Sequence, residues 1–298
     1  MSNYKFTVFT ATYNRADKIH RVYDSLKKQI FKDFEWLIVD DGSTDNTEEI
    51  VLKWINESNF FPIRYIKKEN GGKHTAFNIG VKEAKGKLFL PLDSDDSCVP
   101  EALEVFNITW EGIEDKSNFS AVTALCKDEN GEIVGQKYPK DIFDSDSIEL
   151  KYIHNVDGEK WGFQRTDILK EFPFPEPENL KLYPEGVIWN KISRKYKTRF
   201  INKALRIYIP GEDSYTSAPV KKFSRALAIG HTSILNDCID YFWRNPIAFF
   251  KTAVHYTRFT LHSKNQFFSN LNNNLARLIV VISLPIAFLV FMKDNLKK

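Results

Sequence analysis

Cysteine is scarce in this chain. Its 298 residues hold three, Cys98, Cys126 and Cys238, odd in number and with no pair at metal-ligand spacing. That excludes a disulfide framework and a zinc-ribbon site, and makes a reducing cytoplasm the simplest setting. Glycine-rich nucleotide signatures are missing too. No Gly-x-Gly-x-x-Gly follows the first strand pattern, and no Gly-Lys-Ser/Thr occurs, so dinucleotide-binding and phosphate-loop readings fall away. Neither an internal repeat nor a disordered tract is visible. A strand pattern opens at Tyr4, and no signal peptide is expected ahead of it.

The net charge of +3 conceals an asymmetry. From Thr216 onward there are eleven Lys/Arg against three Asp/Glu, while the first 215 residues are net acidic. The basic end is rich in aromatics, among them Tyr241, Phe242, Trp243, Phe249 and Phe250. Such a surface suits nucleic acid or an anionic lipid face. Lipid is favoured by residues 278–292, fifteen positions without a charge between Arg277 and Lys293. As a helix this run spans about 22 Å, short of a roughly 30 Å hydrocarbon core, and Pro285 is expected to kink it. A buried core helix is the competing reading; a monotopic anchor is preferred, with a span open if the flanks snorkel.

The densest chemistry lies at Leu88-Phe89-Leu90-Pro91-Leu92-Asp93-Ser94-Asp95-Asp96. A short apolar run ends in three carboxylates within four residues. Charge packed so closely at a strand end is costly unless a cation or hydrogen-bond donors balance it. Hard oxygen ligands at this spacing suit Mg2+ or Mn2+, with a phosphate-bearing substrate completing the shell. A solvated acidic turn is the bland alternative.

Strand and helix patterns alternate along the first half. Strands are expected at Tyr4 to Thr10, Phe34 to Val39, Ile63 to Ile66 and Lys87 to Leu92. Helices are expected at Asp17 to Gln29, from Thr44 or Asp45 to about Glu57, from Gly72 to about Ala84, and from Pro100. The order predicts an α/β fold with a mostly parallel sheet and helices on both faces. Ligands in such sheets gather beyond the carboxyl ends of the strands. Strand one ends in Thr12-Tyr13-Asn14-Arg15, strand two in Asp40-Asp41, and strand four in Asp93 to Asp96. Three polar clusters therefore share one rim, which argues for an active site.

Together these blocks resemble the family 2 glycosyltransferases of the GT-A fold. The likeness runs from Thr7-Val8-Phe9-Thr10-Ala11-Thr12-Tyr13-Asn14-Arg15 through Val39-Asp40-Asp41-Gly42-Ser43-Thr44-Asp45 to Asn70-Gly71-Gly72. It continues in Ala76-Phe77-Asn78-Ile79-Gly80 and Leu92-Asp93-Ser94-Asp95-Asp96. Five blocks in order within about a hundred residues make it specific. It is clear over roughly residues 5 to 110 and thinner to about 210.

The resemblance implies a Rossmann-like GT-A catalytic domain over 1–215; the basic, aromatic composition of 216–298 and its apolar run make that part a helical, membrane-associating tail. It puts Thr12, Arg15, Asp41, Lys73, Asn78 and Asp93 in the nucleotide-sugar pocket, Asp41 accepting a hydrogen bond from the uracil ring and Lys73 meeting a phosphate. Asp93, Asp95 and Asp96 become the metal group, with Asp95 or Asp96 as direct ligand and Asp93 or its neighbour toward the ribose. An inverting reaction needs a base, which the family carries at the start of a later helix. Tyr183-Pro184-Glu185-Gly186-Val187-Ile188-Trp189 fits, making Glu185 the candidate, with Gly186 where a second acid is usual. A glutamate in a first helical turn also has a purely structural reading, through the helix dipole. Trp161-Gly162 with Arg165 reads equally as an acceptor-side wall or as core, and Asp213-Ser214 as a lid turn.

The implied function is metal-dependent, inverting transfer of a hexosyl or N-acetylhexosaminyl group. The donor is a nucleotide sugar, expected to be a UDP-sugar, and the acceptor a hydroxyl of a cell-surface glycan or lipid-linked molecule. The expected location is the cytoplasmic face of the cell membrane, held by the tail as a peripheral, monotopic or single-pass protein, without nucleic acid as partner. The rivals are a non-catalytic nucleotide-sugar or glycan-binding protein of the same fold and a sugar nucleotidyltransferase. The latter wants a glycine-rich loop after strand one, and Thr10 to Arg15 has no glycine. A haloacid-type phosphatase would carry its Asp-x-Asp on the first strand, whereas here it follows the fourth.

Overall fold

The computed structural model describes residues 4–57, 59–209, 220–263 and 270–296. Asp213 and Ser214 lie outside these. The chain divides into two compact units. One comprises Met1–Asp146, Val156–Glu176 and Lys195–Gly211, and the other Ser147–Asn155, Pro177–Arg194 and Glu212–Lys298.

The first unit is a nine-stranded mixed sheet. Its strands are β1 (Tyr4–Thr12), β2 (Phe34–Asp40), β3 (Ile63–Lys67), β4 (Gly86–Pro91), β5 (Ser97–Cys98), β6 (Phe119–Lys127), β7 (Ile142–Ser145), β8 (Lys160–Arg165) and β9 (Lys197–Ile207). The order is β3-β2-β1-β4-β8-β6-β9-β5, with β7 also on β9. The β3-β2-β1-β4 block is parallel, and β8 joins β4 antiparallel. Central β2 is buried at every position, which is why Trp36-Leu37-Ile38-Val39 reads as a continuous apolar run rather than an alternation.

The helices of this unit are α1 (His20–Lys27), α2 (Thr47–Asn56), α3 (Lys73–Glu83), α4 (Ala102–Glu111) and, following α5 (Ser147–Tyr152) of the second unit, α6 (Thr166–Glu171). Strand side chains alternate in direction, so β1 feeds two cores. Phe6 and Val8 pack with Val22, Leu26, Val51 and Phe106 of α1, α2 and α4. Phe9 points the other way, its ring centroid 5.6 Å from that of Phe77 on α3. A Cβ on Gly80 would come within 2.3 Å of the Phe9 ring, so glycine lets α3 settle onto the sheet. Helices thus cover both faces.

Boundaries shift where tertiary contacts outweigh local pattern. Residues 17–19 form a turn ahead of α1, and α4 begins at Ala102 rather than at Pro100. Strand β9 runs from Lys197 to Ile207, its first half pairing with both β6 and β7. Trp161 is core: it is 3% exposed and its indole N–H donates to the Pro91 carbonyl at 2.5 Å.

The second unit is helical: α5 (Ser147–Tyr152), α7 (Gly186–Ser193), α8 (Val220–Asp237), α9 (Pro246–Ser263) and α10 (Asn274–Leu296). Phe249, Ala253 and Tyr256 of α9 share a core with Ala276, Ile279 and Val280 of α10. Near the end of α10, Asp294 accepts from the Arg258 guanidinium and lies 3.0 Å from His262 Nε2, tying it to α9. Helix α10 runs through Pro285 and, at 23 residues, is about 34 Å long. That exceeds the length expected from the uncharged run alone. It is the one helix among the described residues long and apolar enough to cross a membrane.

A buried carboxylate ties the parallel block together. Glu35 of β2 is fully buried and accepts from Thr7 Oγ1 of β1 at 2.7 Å and Arg64 Nη1 of β3 at 3.1 Å. It also accepts from the Lys85 amide ahead of β4 at 2.7 Å. Removing one member of a buried charge pair strands the rest, typically for about 3–5 kcal/mol. We expect Glu35→Ala to lower the urea midpoint of unfolding by a corresponding amount, and Glu35→Gln to lose less.

Candidate active site at the carboxyl rim of the sheet

The rim lies where chain order reverses, since β1 sits between β2 and β4. The β1 and β2 turns are locked together there. Asn14, at φ 51, donates its amide to Ser43 Oγ and accepts from the Thr44 amide. The Arg15 amide donates to Thr47 Oγ1, and Asp45 accepts from the Ala16 and Thr47 amides. Asp45 thus satisfies a first-turn N–H of α2, as its position suggested. Thr12 is buried at the end of β1, and its hydroxyl has no hydrogen-bond partner among the described residues. Arg15 is half-buried beside it in sequence.

Asp40 and Asp41 end β2 in different roles. Asp40 accepts from the Ser43 amide and the Tyr65 hydroxyl, holding its own turn. Asp41 joins two motif blocks: Oδ1 accepts from the Gly71 amide at 2.9 Å and Oδ2 from the Gly72 amide at 2.7 Å. Lys68 Nζ adds an ion pair at 2.6 Å. Gly42, at φ 86, permits the approach, because a Cβ there would stand 3.0 Å from the Asn70 nitrogen. The Asp41 carboxylate is therefore engaged within the protein. The Asn78 amide is engaged too: it donates to the Phe174 carbonyl and Glu176 Oε1 and accepts from the Phe174 amide.

The aspartates after β4 form the charged centre. Lys73, at the start of α3, lies 2.8 Å from Asp93 Oδ1. The second cation is one that the motif reading passed over. Arg206 of β9 is 7% exposed, and its Nη2 lies 3.0 Å from Asp93 Oδ2 while also pairing with Asp96. It arrives there through pairing, since β5 follows the cluster directly and Cys98 sits opposite Arg206. The available signal was a lone arginine within the apolar run Ala204-Leu205-Arg206-Ile207.

The two held carboxylates titrate apart. Burial favours neutral Asp93, but Lys73 and Arg206 outweigh it and draw the group down to about 2. Burial pushes Asp96 up to about 6, with Arg206 and the Ile209 amide pulling against it and Asp93 and Asp95 adding to it. Asp95 differs from both. It is half-buried, and its carboxylate has no donor among the described residues.

This donor set fits one kind of cation. No trio of His, Cys, Asp or Glu among the described residues converges on a common point, so a cage made by protein alone does not fit. An ion that takes one or two carboxylates and completes its shell with water and phosphate oxygens does fit, at Asp95. Glu185 belongs to the helical unit, exposed at the N-cap of α7, where its carbonyl accepts from the Ile188 and Trp189 amides.

Comparisons with known proteins bear on the family and the fold. The family described as Glycosyl transferase family 2 matches residues 7–169. A glycosyltransferase of Rickettsia felis (strain ATCC VR-1525 / URRWXCal2) is 38% identical over 243 residues, covering 78% of this chain and 37% of that protein. Poly(ribitol-phosphate) beta-N-acetylglucosaminyltransferase TarS of Staphylococcus aureus (strain MW2) is 31% identical over 180 residues, covering 59% and 30%. The chain thus spans about a third of the length of these relatives. The fold is shared with S. aureus TarS 1–349 in complex with UDP-GlcNAc, at TM-score 0.64 and 23% identity over 95% of this chain and 80% of that one. It is shared as well with mannosyltransferase PcManGT from Pyrobaculum calidifontis, solved with GDP-Man and Mn2+, at TM-score 0.59 and 16% identity over 98% and 84%.

Arg206 gives the site a direct test. Arg206→Met leaves the buried Asp96 without its counter-charge, while half-buried Asp93 keeps Lys73, and should cost about 3 kcal/mol in urea unfolding. Adding Asp96→Asn should return part of that loss. Single and double variants of equal stability would show that the guanidinium does not balance this pair.

Proposed function

The chain belongs to glycosyltransferase family 2, and from that premise we propose that it transfers a sugar from a UDP-sugar to an acceptor hydroxyl in a metal-dependent, inverting reaction. The observation that carries this reading is Asp95, a carboxylate left without a protein donor at the switch point of the sheet, between two aspartates already held by cations. The UDP-GlcNAc complex of TarS supports a UDP-sugar donor, and the Mn2+ in PcManGT supports a divalent ion.

Thr12 and Arg15 line the nucleotide end of this pocket, and Asp41, Lys73, Asn78 and Asp93 shape it. Asp41 rigidifies the loop carrying Gly71 and Gly72, and Lys73 presents its charge toward the phosphates. Asp95 holds Mg2+ or Mn2+, with Asp93 and Asp96 beside it. When bound, the ion supplies Lewis-acid neutralisation of the departing diphosphate. Glu185 takes the proton from the attacking acceptor hydroxyl; its exposed place at the N-cap of α7 supports that role. The acceptor is a cell-surface glycan or a lipid-linked molecule.

Association with the cytoplasmic face of the cell membrane belongs to the same proposal. Ala276, Ile279, Val280, Ser283 and Ala287 turn one side of α10 to the protein. Its other side exposes Leu278, Val281, Ile282, Ile286, Leu289 and Met292. Each such side chain gains roughly 1.5–3 kcal/mol on full removal from water, which favours a lipid contact.

A panel of nucleotide sugars, scored for metal-dependent UDP release, tests the donor and the reaction together. Asp95→Ala should abolish both transfer and donor hydrolysis. Glu185→Gln should keep UDP binding by calorimetry and lose transfer; normal turnover would remove Glu185 from the mechanism. Truncation after Asn274 should move the protein from the membrane to the soluble fraction, and identical fractionation of both forms would sink the anchor.

A further inference from the structure

Opposite the catalytic rim, the sheet carries a second concavity of different chemistry. It lies at the amino end of β4, has a volume of about 780 Å³, and is bounded by the segment 84–88, Lys116 and the β8–α6 junction. At roughly 3.3 Å per strand residue, Lys87 and Asp93 are about 20 Å apart along the chain direction. The two sites therefore face opposite ends of the same strand.

The charge lining this cavity is one-sided. Lys85, Lys87, Lys116, Arg165 and Lys170 contribute five cations, and Asp167 the single carboxylate. Two of the five are balanced. Arg165 pairs with Asp167 at 2.6 Å and donates to the Lys116 and Phe119 carbonyls, and Lys116 pairs with Glu111 at 3.4 Å. Lys85, Lys87 and Lys170 are exposed and have no anionic partner among the described residues. This cluster stands in the net acidic part of the chain, so bulk composition does not account for it.

Three uncompensated ammonium groups around one concavity raise its potential and draw anions. A monovalent carboxylate satisfies one of them. A phosphate carries more charge and three or more acceptor oxygens, so it can engage two or three lysines at once. The volume falls within the range of small-molecule sites and accepts a phosphate with its attached polyol or sugar. We propose that this cavity is a second binding site, for a phosphate-bearing ligand, separate from the donor pocket. The anchored Arg165 forms its fixed wall and the three lysines its adaptable side. The phosphate can come from a soluble phosphate or from a lipid headgroup.

The test uses the full chain and two probes, inorganic phosphate and vesicles. In chelator-containing buffer, calorimetry should show phosphate binding that weakens as salt rises. Lys87→Glu combined with Lys170→Glu should reduce the affinity roughly tenfold or more, with an unchanged thermal midpoint. A headgroup source adds a loss of sedimentation with phosphatidylglycerol vesicles over phosphatidylcholine ones; a soluble source leaves sedimentation as in the parent protein. Phosphate affinity unaltered by the double charge reversal, or no phosphate binding by the parent protein, overturns the site.

Discussion

Arg206 brings a guanidinium into a nearly dry position between Asp93 and Asp96. Without a cation there, three carboxylates within four residues would repel one another and lose their hydration at a strand end, so the acidic turn would open or protonate. With it, Asp93 stays ionised and Asp96 stays packed against the Ile209 amide. The centre is then asymmetric. Two aspartates are paired with cations of the protein, and the third has no such partner among the described residues.

That asymmetry depends on sheet topology. Arg206 sits on β9, more than a hundred residues after the cluster it balances. Its position follows from the short β5, which pairs with β9 as soon as the acidic turn ends. A similar economy holds at the β2 end. The Asp41 carboxylate gathers the Gly71 and Gly72 amides and Lys68, fixing the loop that leads into α3 and its Lys73. Each rim cluster is thus held by partners from a neighbouring segment.

The same strand that presents the acidic cluster at one end frames a basic concavity at the other. The charge at the two ends of β4 is of opposite sign. Three aspartates follow one end, and lysines without an anionic partner among the described residues line the other. The helical unit adds a third surface, apolar along the outer side of α10.

Much of this was legible in the residues. Alternating strand and helix patterns gave the parallel block, because the middles of β1, β2 and β4 are buried on both faces and leave short apolar runs in the sequence. The five motif blocks marked the rim, because turns beyond strand ends need particular residues, such as Gly42 at a positive φ. Glu35 and Arg206 were not legible as partners, since each meets its counter-charge only after distant strands pair. The same holds for Asn78 and Asp41: sequence marks them as polar residues at the site, while folding decides that the protein's own amides and carbonyls meet them. Local spacing determined which elements form and where their polar ends fall. Tertiary structure alone decided which charges are already balanced and which one, Asp95, has none of its charge taken, because that balance is set by through-space distance rather than position along the chain.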